Sequence, residues 1–238
     1  MVSLSLNPLL EVQKLQVDFH KKGIVLPAIR NINLTIAPGE TVCIVGESGS
    51  GKTVASKSIM RLIEFENGTI SNGSITLNGQ DLTNLSQKQL RSIRGNKVAM
   101  IFQEPMAAFD PVFTIGKQIT ETIIEHKQST KVHAKERAIY LLKRVGISEA
   151  ELRFKQYPNE LSGGMLQRAM IAMALACGPD LLIADEPTTA LDVTIQAQIL
   201  ELLQELKEEF QMSILLITHD MGIAAQVADR IVVMYAGE

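Results

Sequence analysis

Two short stretches of this chain combine residue types that could do chemistry together. The first, Gly46-Glu47-Ser48-Gly49-Ser50-Gly51-Lys52-Thr53, fits the pattern G-x-x-x-x-G-K-[ST] at every required position. Its glycines let the backbone wrap a phosphate chain without Cβ clashes, so that successive N–H groups and a helix N-terminus point at the anion. Lys52 is then placed to reach the β- and γ-phosphates, and the Thr53 hydroxyl to ligand Mg²⁺. The second stretch is Asp185-Glu186, which ends the apolar run Leu181-Leu182-Ile183-Ala184. Carboxylates at the C-terminal end of a buried strand sit where open α/β sheets bind ligands. Asp185 suits the Mg²⁺ shell, and Glu186 suits the general base that polarises an attacking water.

These residues need elements to hold them. Thr41–Val45 reads as a buried strand before the glycine loop and Val54–Leu62 as a helix after it, the strand–loop–helix context that the pattern demands. Two strand-like runs, Leu10–Phe19 and Ile29–Ile36, are separated by a polar turn with Gly23 and Pro27. A third, Ser74–Leu77, ends in the tight-turn pair Asn78-Gly79. Together the three suggest an antiparallel sheet. Asp81–Arg94 has helical character, and Lys97–Phe102 returns to a strand.

Between Glu104 and Gly178 the period changes. Ile115–His126, His133–Val145 and Leu166–Cys177 carry apolar residues at spacings of three and four, which reads as a helical lobe inserted into an α/β domain. Alternation of strand and helix then resumes through Leu181–Ala184, Val193–Phe210, Ser213–Thr218, Met221–Ala228 and Ile231–Met234, arguing for a mainly parallel sheet covered by helices. The expected fold class is α/β: a phosphate-loop core with a mainly parallel sheet, an antiparallel β subdomain and an inserted helical subdomain at about residues 104–178. The whole span 1–238 is read as one nucleotide-binding domain.

Composition narrows the function classes. With 238 residues, 46% hydrophobic and 21% charged, the chain is an ordinary globular one. A net charge of −3 and a pI near 5.9 give no general basic surface for nucleic acid. Cys43 and Cys177 lie in apolar segments, so a disulfide framework is not expected and a reducing compartment is. No convincing signal peptide precedes the domain. The longest apolar stretch, near Ala169–Ala184, is broken by Gly178-Pro179-Asp180 and cannot span a membrane.

A third motif discriminates among phosphate-loop proteins. Leu161-Ser162-Gly163-Gly164-Met165-Leu166-Gln167-Arg168 is a two-glycine turn opening a helix, hence a second anion-binding N-terminus. One fold cannot easily wrap two such loops around one phosphate chain, so a second subunit is implied. Here the sequence resembles the ATP-binding cassette family, whose signature is Leu-Ser-Gly-Gly-x-x-Gln-Arg, over essentially the whole chain. The resemblance implies an ATP hydrolase working as a head-to-tail dimer, homodimeric or with a paralogous partner. It assigns Gln103 to the Q-loop, touching Mg²⁺ and the attacking water. It assigns Ala190-Leu191-Asp192 to the D-loop at the dimer interface, His219 to the γ-phosphate and Phe19 to an adenine stack. Each ATP would then lie between Lys52, Thr53, Gln103, Asp185, Glu186 and His219 of one subunit and Ser162, Gly163 and Gly164 of the other.

Within the family, Gly46–Lys52, Ile101–Met106, Ala184–Thr194 and Thr218–Gly222 look like the ATPases of dipeptide, oligopeptide, glutathione and nickel importers. That resemblance implies transmembrane permease subunits, an extracytoplasmic solute-binding protein and a peripheral position on the inner face of the cell membrane. Ala108-Phe109-Asp110-Pro111 stands where that group commonly has Ser-Leu-Asn-Pro, and Leu166 where it often has arginine. The chain stops at Gly237-Glu238, where that group usually continues into a C-terminal extension. An exporter or lipoprotein-release ATPase would share all the catalytic motifs, and a soluble cassette acting on nucleic acid or ribosomes is the other alternative.

Overall fold

The computed structural model describes residues 7–189 and 191–238; Ala190 of the D-loop lies outside them. In chain order the elements are β1 (Leu10–Lys21), β2 (Ile24–Ile36), β3 (Thr41–Val45), α1 (Lys52–Ile59), β4 (Gly68–Leu77), β5 (Gln80–Asp81), α2 (Gln87–Ile93), β6 (Val98–Ile101) and α3 (Ile115–Lys127). There follow α4 (Lys131–Arg144), α5 (Ala150–Arg153), α6 (Gly163–Ala174), β7 (Leu181–Asp185), α7 (Val193–Phe210), β8 (Ser213–Thr218), α8 (Met221–Val227) and β9 (Arg230–Val233). The chain divides into two compact units, Met1–Arg91 with Met212–Glu238, and Ser92–Gln211.

The first unit contains an antiparallel sheet of order β2-β1-β4-β5 and a parallel group in which β3 pairs with both β8 and β9. Strands β3 and β8 are buried along their whole length, as a parallel sheet covered on both faces requires. The antiparallel sheet instead alternates, with Leu10, Val12, Leu15 and Val17 inward. That alternation survives only because Gln13 and Lys14 both face outward at a register shift, with Lys14 at φ 48. Opposite this bulge Gly73 sits at φ 92, and a Cβ there would stand 2.4 Å from Gln13 O. Only glycine fits.

Several boundaries differ from the sequence reading. Strand β2 begins at Ile24, so Pro27 lies within it, opposite Asp18 at a register shift. Proline is tolerated because β2 is the edge strand of this sheet and needs no outward donor. The turn is instead Lys22-Gly23, both at positive φ. Strand β4 starts at Gly68, because Asn72-Gly73 forms the bulge rather than a turn. Asn78-Gly79 does turn the chain, with φ 49 and 76, into β5. Asp81 belongs to that strand and its carboxylate accepts from Thr83 N–H at 2.7 Å, so helix α2 covers only Gln87–Ile93.

The second unit pairs β6 with β7 in parallel and carries α3, α4 and α6 around one apolar core. Ile115, Ile119 and Ile123 of α3 and Ala134, Ala138, Leu141 and Leu142 of α4 are buried at the three-and-four spacing. Each fully buried isoleucine or leucine contributes about 1.5–3 kcal/mol. Phe154 packs flat against Gly116, where an added Cβ would lie 2.3 Å from the ring. Four helices of this unit start on an oxygen cap: Thr114, Thr130, Ser162 and Asp192 each accept from the N–H three residues on. Both cysteines are buried, and burial pushes the Cys43 thiol up to about 12. Neither thiol is a nucleophile at neutral pH.

Candidate functional site

The sequence-predicted residues fall in both units. In the first, β3 delivers the chain to Gly46 and α1 leaves from Lys52. A Cβ at Gly46 would stand 2.2 Å from Met234 O, and one at Gly51, which has φ 100, would stand 3.2 Å from Ala28 O. The backbone can therefore follow this path only with glycine at both places. Gly49, at φ 81, needs glycine for conformation alone, since nothing lies within 4 Å. Gly51 is the N-cap of α1 and supplies no side-chain cap, so the N-terminal N–H groups of that helix keep their anion-binding character.

Lys52 is 5% exposed, and its Nζ donates to Gly46 O and Glu47 O at 2.8 Å each. The loop is thus folded around its own cation. Ser50 is also buried, its Oγ without a hydrogen-bond partner in the structure, while Glu47 and Ser48 are exposed. His219 is exposed just beyond β8, between Thr218 and the α8 cap Asp220. The half-buried Phe19 sits on β1 with its ring edge over Gly68, where a Cβ would be 3.0 Å away.

In the second unit Asp185 is buried at the end of β7 and Glu186 is half-buried beyond it, at φ 47. A non-glycine residue at positive φ is uncommon and is held there by its surroundings. Glu186–Thr189 forms a turn closed by Thr189 N–H on Glu186 O at 3.2 Å. Pro187 takes the second turn position, which its fixed φ favours. Gln103 Nε2 donates to Glu186 Oε2 at 3.4 Å, so the structure brings these two predicted residues together. Ser162 caps α6 by accepting from Met165 N–H at 3.3 Å. Among the described residues, Gly163 has nothing within 4 Å of where a Cβ would stand, and Gly164 has Ile195 at 3.5 Å. Asp192 caps α7, accepting from Ile195 N–H at 2.9 Å.

Three residues near Glu186 escaped the sequence reading. Thr189 donates its hydroxyl proton to Glu186 Oε2 at 2.8 Å. Gln167, 2% exposed, donates to Pro187 O at 2.6 Å, and Gln196 donates to Thr188 Oγ1 at 3.0 Å. Gln167 stands inside the signature stretch and Thr189 inside the importer-like stretch Ala184–Thr194, which were the available signals; Gln196 gives none without coordinates.

Residues 29–189 match the ABC transporter family. The chain belongs to that family. It is 54% identical to the oligopeptide transport ATP-binding protein AppD of Bacillus subtilis over 233 residues, 98% of this chain and 71% of that protein. It is 53% identical to OppD of the same organism, covering 97% of this chain and 64% of that one. Among solved structures, the dimeric post-hydrolysis state of the ATP-binding cassette MJ0796 bound to ADP and Pi is similar at a TM-score of 0.85 and 29% identity. That match covers 96% of this chain and 95% of the other. Among the described residues no helix is long and apolar enough to cross a membrane.

Proposed function

We propose that this chain is the ATP-binding and ATP-hydrolysing subunit of a membrane importer for peptides or related solutes such as dipeptides, oligopeptides, glutathione or nickel. The observation that carries the ATPase reading is the glycine loop closed on the buried Lys52 at the uncapped start of α1. Full-chain likeness to AppD and OppD supports the choice of peptide import among family functions. The partners of this reading are a second cassette subunit, transmembrane permeases and an extracytoplasmic solute-binding protein. The chain then sits peripherally on the inner face of the membrane.

In this reading the loop N–H groups and Lys52 bind the β- and γ-phosphates of ATP, and His219 meets the γ-phosphate. Phe19 stacks on adenine. Thr53, Gln103 and Asp185 offer hydroxyl, amide and carboxylate oxygens, a donor set that suits Mg²⁺. When bound, Mg²⁺ neutralises charge on the phosphate oxygens. Glu186 accepts a proton from water as its oxygen bonds to the γ-phosphorus, the bond to the bridging oxygen breaks, and ADP and phosphate leave. Gly163 supports a contribution from the second subunit. Neither its φ nor its surroundings demand glycine within this chain, so the open space suits a group arriving from outside.

Mixed dimers test this arrangement. With Ser162→Ala on one subunit and Lys52→Ala on the other, one site stays intact and the other carries both lesions, so hydrolysis at about half the wild-type rate is expected. Loss of all hydrolysis, or a rate strictly first order in monomer at every concentration, would sink the shared site. Copurification with permease subunits supports transport; nuclease-sensitive association supports the nucleic-acid alternative.

A further inference from the structure

The turn after Glu186 is fastened more heavily than a strand-to-helix connection requires. Gln167 on α6 holds the Pro187 carbonyl and Gln196 on α7 holds the Thr188 hydroxyl, so one helix fixes the turn backbone and a second fixes one of its side chains. Thr189 is bound to Glu186 twice, through its N–H on the carbonyl and through its hydroxyl on carboxylate Oε2 at 2.8 Å. These two clamps explain the fold of the turn. The hydroxyl contact does something else, because it acts on the carboxylate rather than on the chain path.

The terminal torsion of glutamate is broad and roughly two-fold, so backbone placement alone leaves the carboxylate plane loosely set. A charge-assisted O–H···O⁻ bond is among the stronger and more directional restraints available to it. We propose that Thr189 is a positioning residue for the hydrolytic reaction: its hydroxyl sets the plane of the Glu186 carboxylate, with Gln103 Nε2 on the same oxygen at 3.4 Å. This rests on the reading of Glu186 as general base. A base held off its productive orientation loses rate without losing substrate, since misplacement near 1 Å costs about 10²-fold.

The test compares Thr189→Val, which keeps shape and removes the hydroxyl, with Thr189→Ser, which keeps the hydroxyl. T189V should lower kcat about 10- to 100-fold with KM for ATP and thermal midpoint near wild type. T189S should restore kcat to within about threefold of wild type. In a Glu186→Gln background T189V should cause no further loss, because both changes remove one function. Wild-type turnover in T189V, or an equal additional loss on top of E186Q, would overturn the proposal. Should T189V fold poorly, a well-folded T189S with the same loss of kcat would overturn it as well. Wild-type turnover in E186Q itself is a different result, and it removes the base assignment beneath the proposal.

Discussion

The phosphate loop and the Glu186 turn are both short connections from a buried parallel strand to a helix, yet they are built by different means. In the loop the backbone path is what the packing fixes. Gly46 and Gly51 are fixed by what a Cβ would strike, and the one charged side chain, Lys52, bonds to carbonyls five and six residues away. At Glu186 side chains do the holding, Thr189 from three residues on and the others from afar. Gln103 is 83 residues distant in sequence and Gln167 lies 20 residues before the carbonyl it holds. The first arrangement is built from backbone and, at Gly46 and Gly51, tolerates no added atoms. The second is largely non-local, and each contact can be removed one at a time.

Removing the reactive group gives the largest expected effect and separates the two regions. Glu186→Gln should lower kcat by about 10²–10⁴ while ATP binding persists, measured by steady-state hydrolysis beside equilibrium nucleotide titration. Retained turnover would mean that the acidic turn is not the hydrolytic region. Lys52→Ala should act on the other axis. It removes a buried cation bonded to two loop carbonyls and proposed to reach the phosphates, so ATP affinity should fall by about 10²-fold or more, as truncating one partner of a buried charge pair does. Unchanged affinity in that variant would contradict the whole binding scheme.

The same contrast explains what could be read from the sequence. The glycine loop, β3, α7 and β8 were legible to the residue or nearly so, because apolar runs, glycine spacing and helix periodicity are local signals. The antiparallel sheet was legible in outline only. Asn72-Gly73 has the composition of a turn, and nothing local says that Lys14 and Gly73 make matching bulges on neighbouring strands. Pro27 misled for the same reason, since its tolerance depends on β2 being an edge. In the candidate site, residue types at a strand end pointed to Asp185 and Glu186, and the family resemblance pointed to Gln103. The roles of Gln167, Gln196 and Thr189 depend on distances that no spacing rule encodes.

Intermediate effects probe how each region resists change. Gly46→Ala should be poorly tolerated, because its Cβ would stand 2.2 Å from a backbone oxygen that no rotamer can move. A cost of about 1–3 kcal/mol is expected, and for a domain of this size that lowers the thermal midpoint by about 2–4 °C per kcal/mol. An unchanged midpoint would show that the loop is looser than its packing indicates. Gln167→Leu removes the donor to a buried carbonyl and should cost about 1–3 kcal/mol, detectable by denaturant titration. If the cost is absent, the clamp on the Glu186 turn is not structural.

The smallest effect on stability is expected at Gly163, and there its sign carries the information. An alanine meets no atom of the described residues within 4 Å, and the position does not need a left-handed backbone. It stands at the first residue of α6, where replacing glycine removes backbone entropy from the unfolded chain. Gly163→Ala should therefore leave the midpoint unchanged or raise stability by up to about 1 kcal/mol. Hydrolysis should nevertheless fall at protein concentrations that favour dimers, because the new methyl group occupies space assigned to the other subunit's ATP. Opposite signs in the two measurements would separate a glycine kept for a partner from the glycines of the phosphate loop, where stability and binding fall together. If hydrolysis is untouched, the turn at Ser162-Gly163-Gly164 does not approach a nucleotide, and its glycines need another explanation.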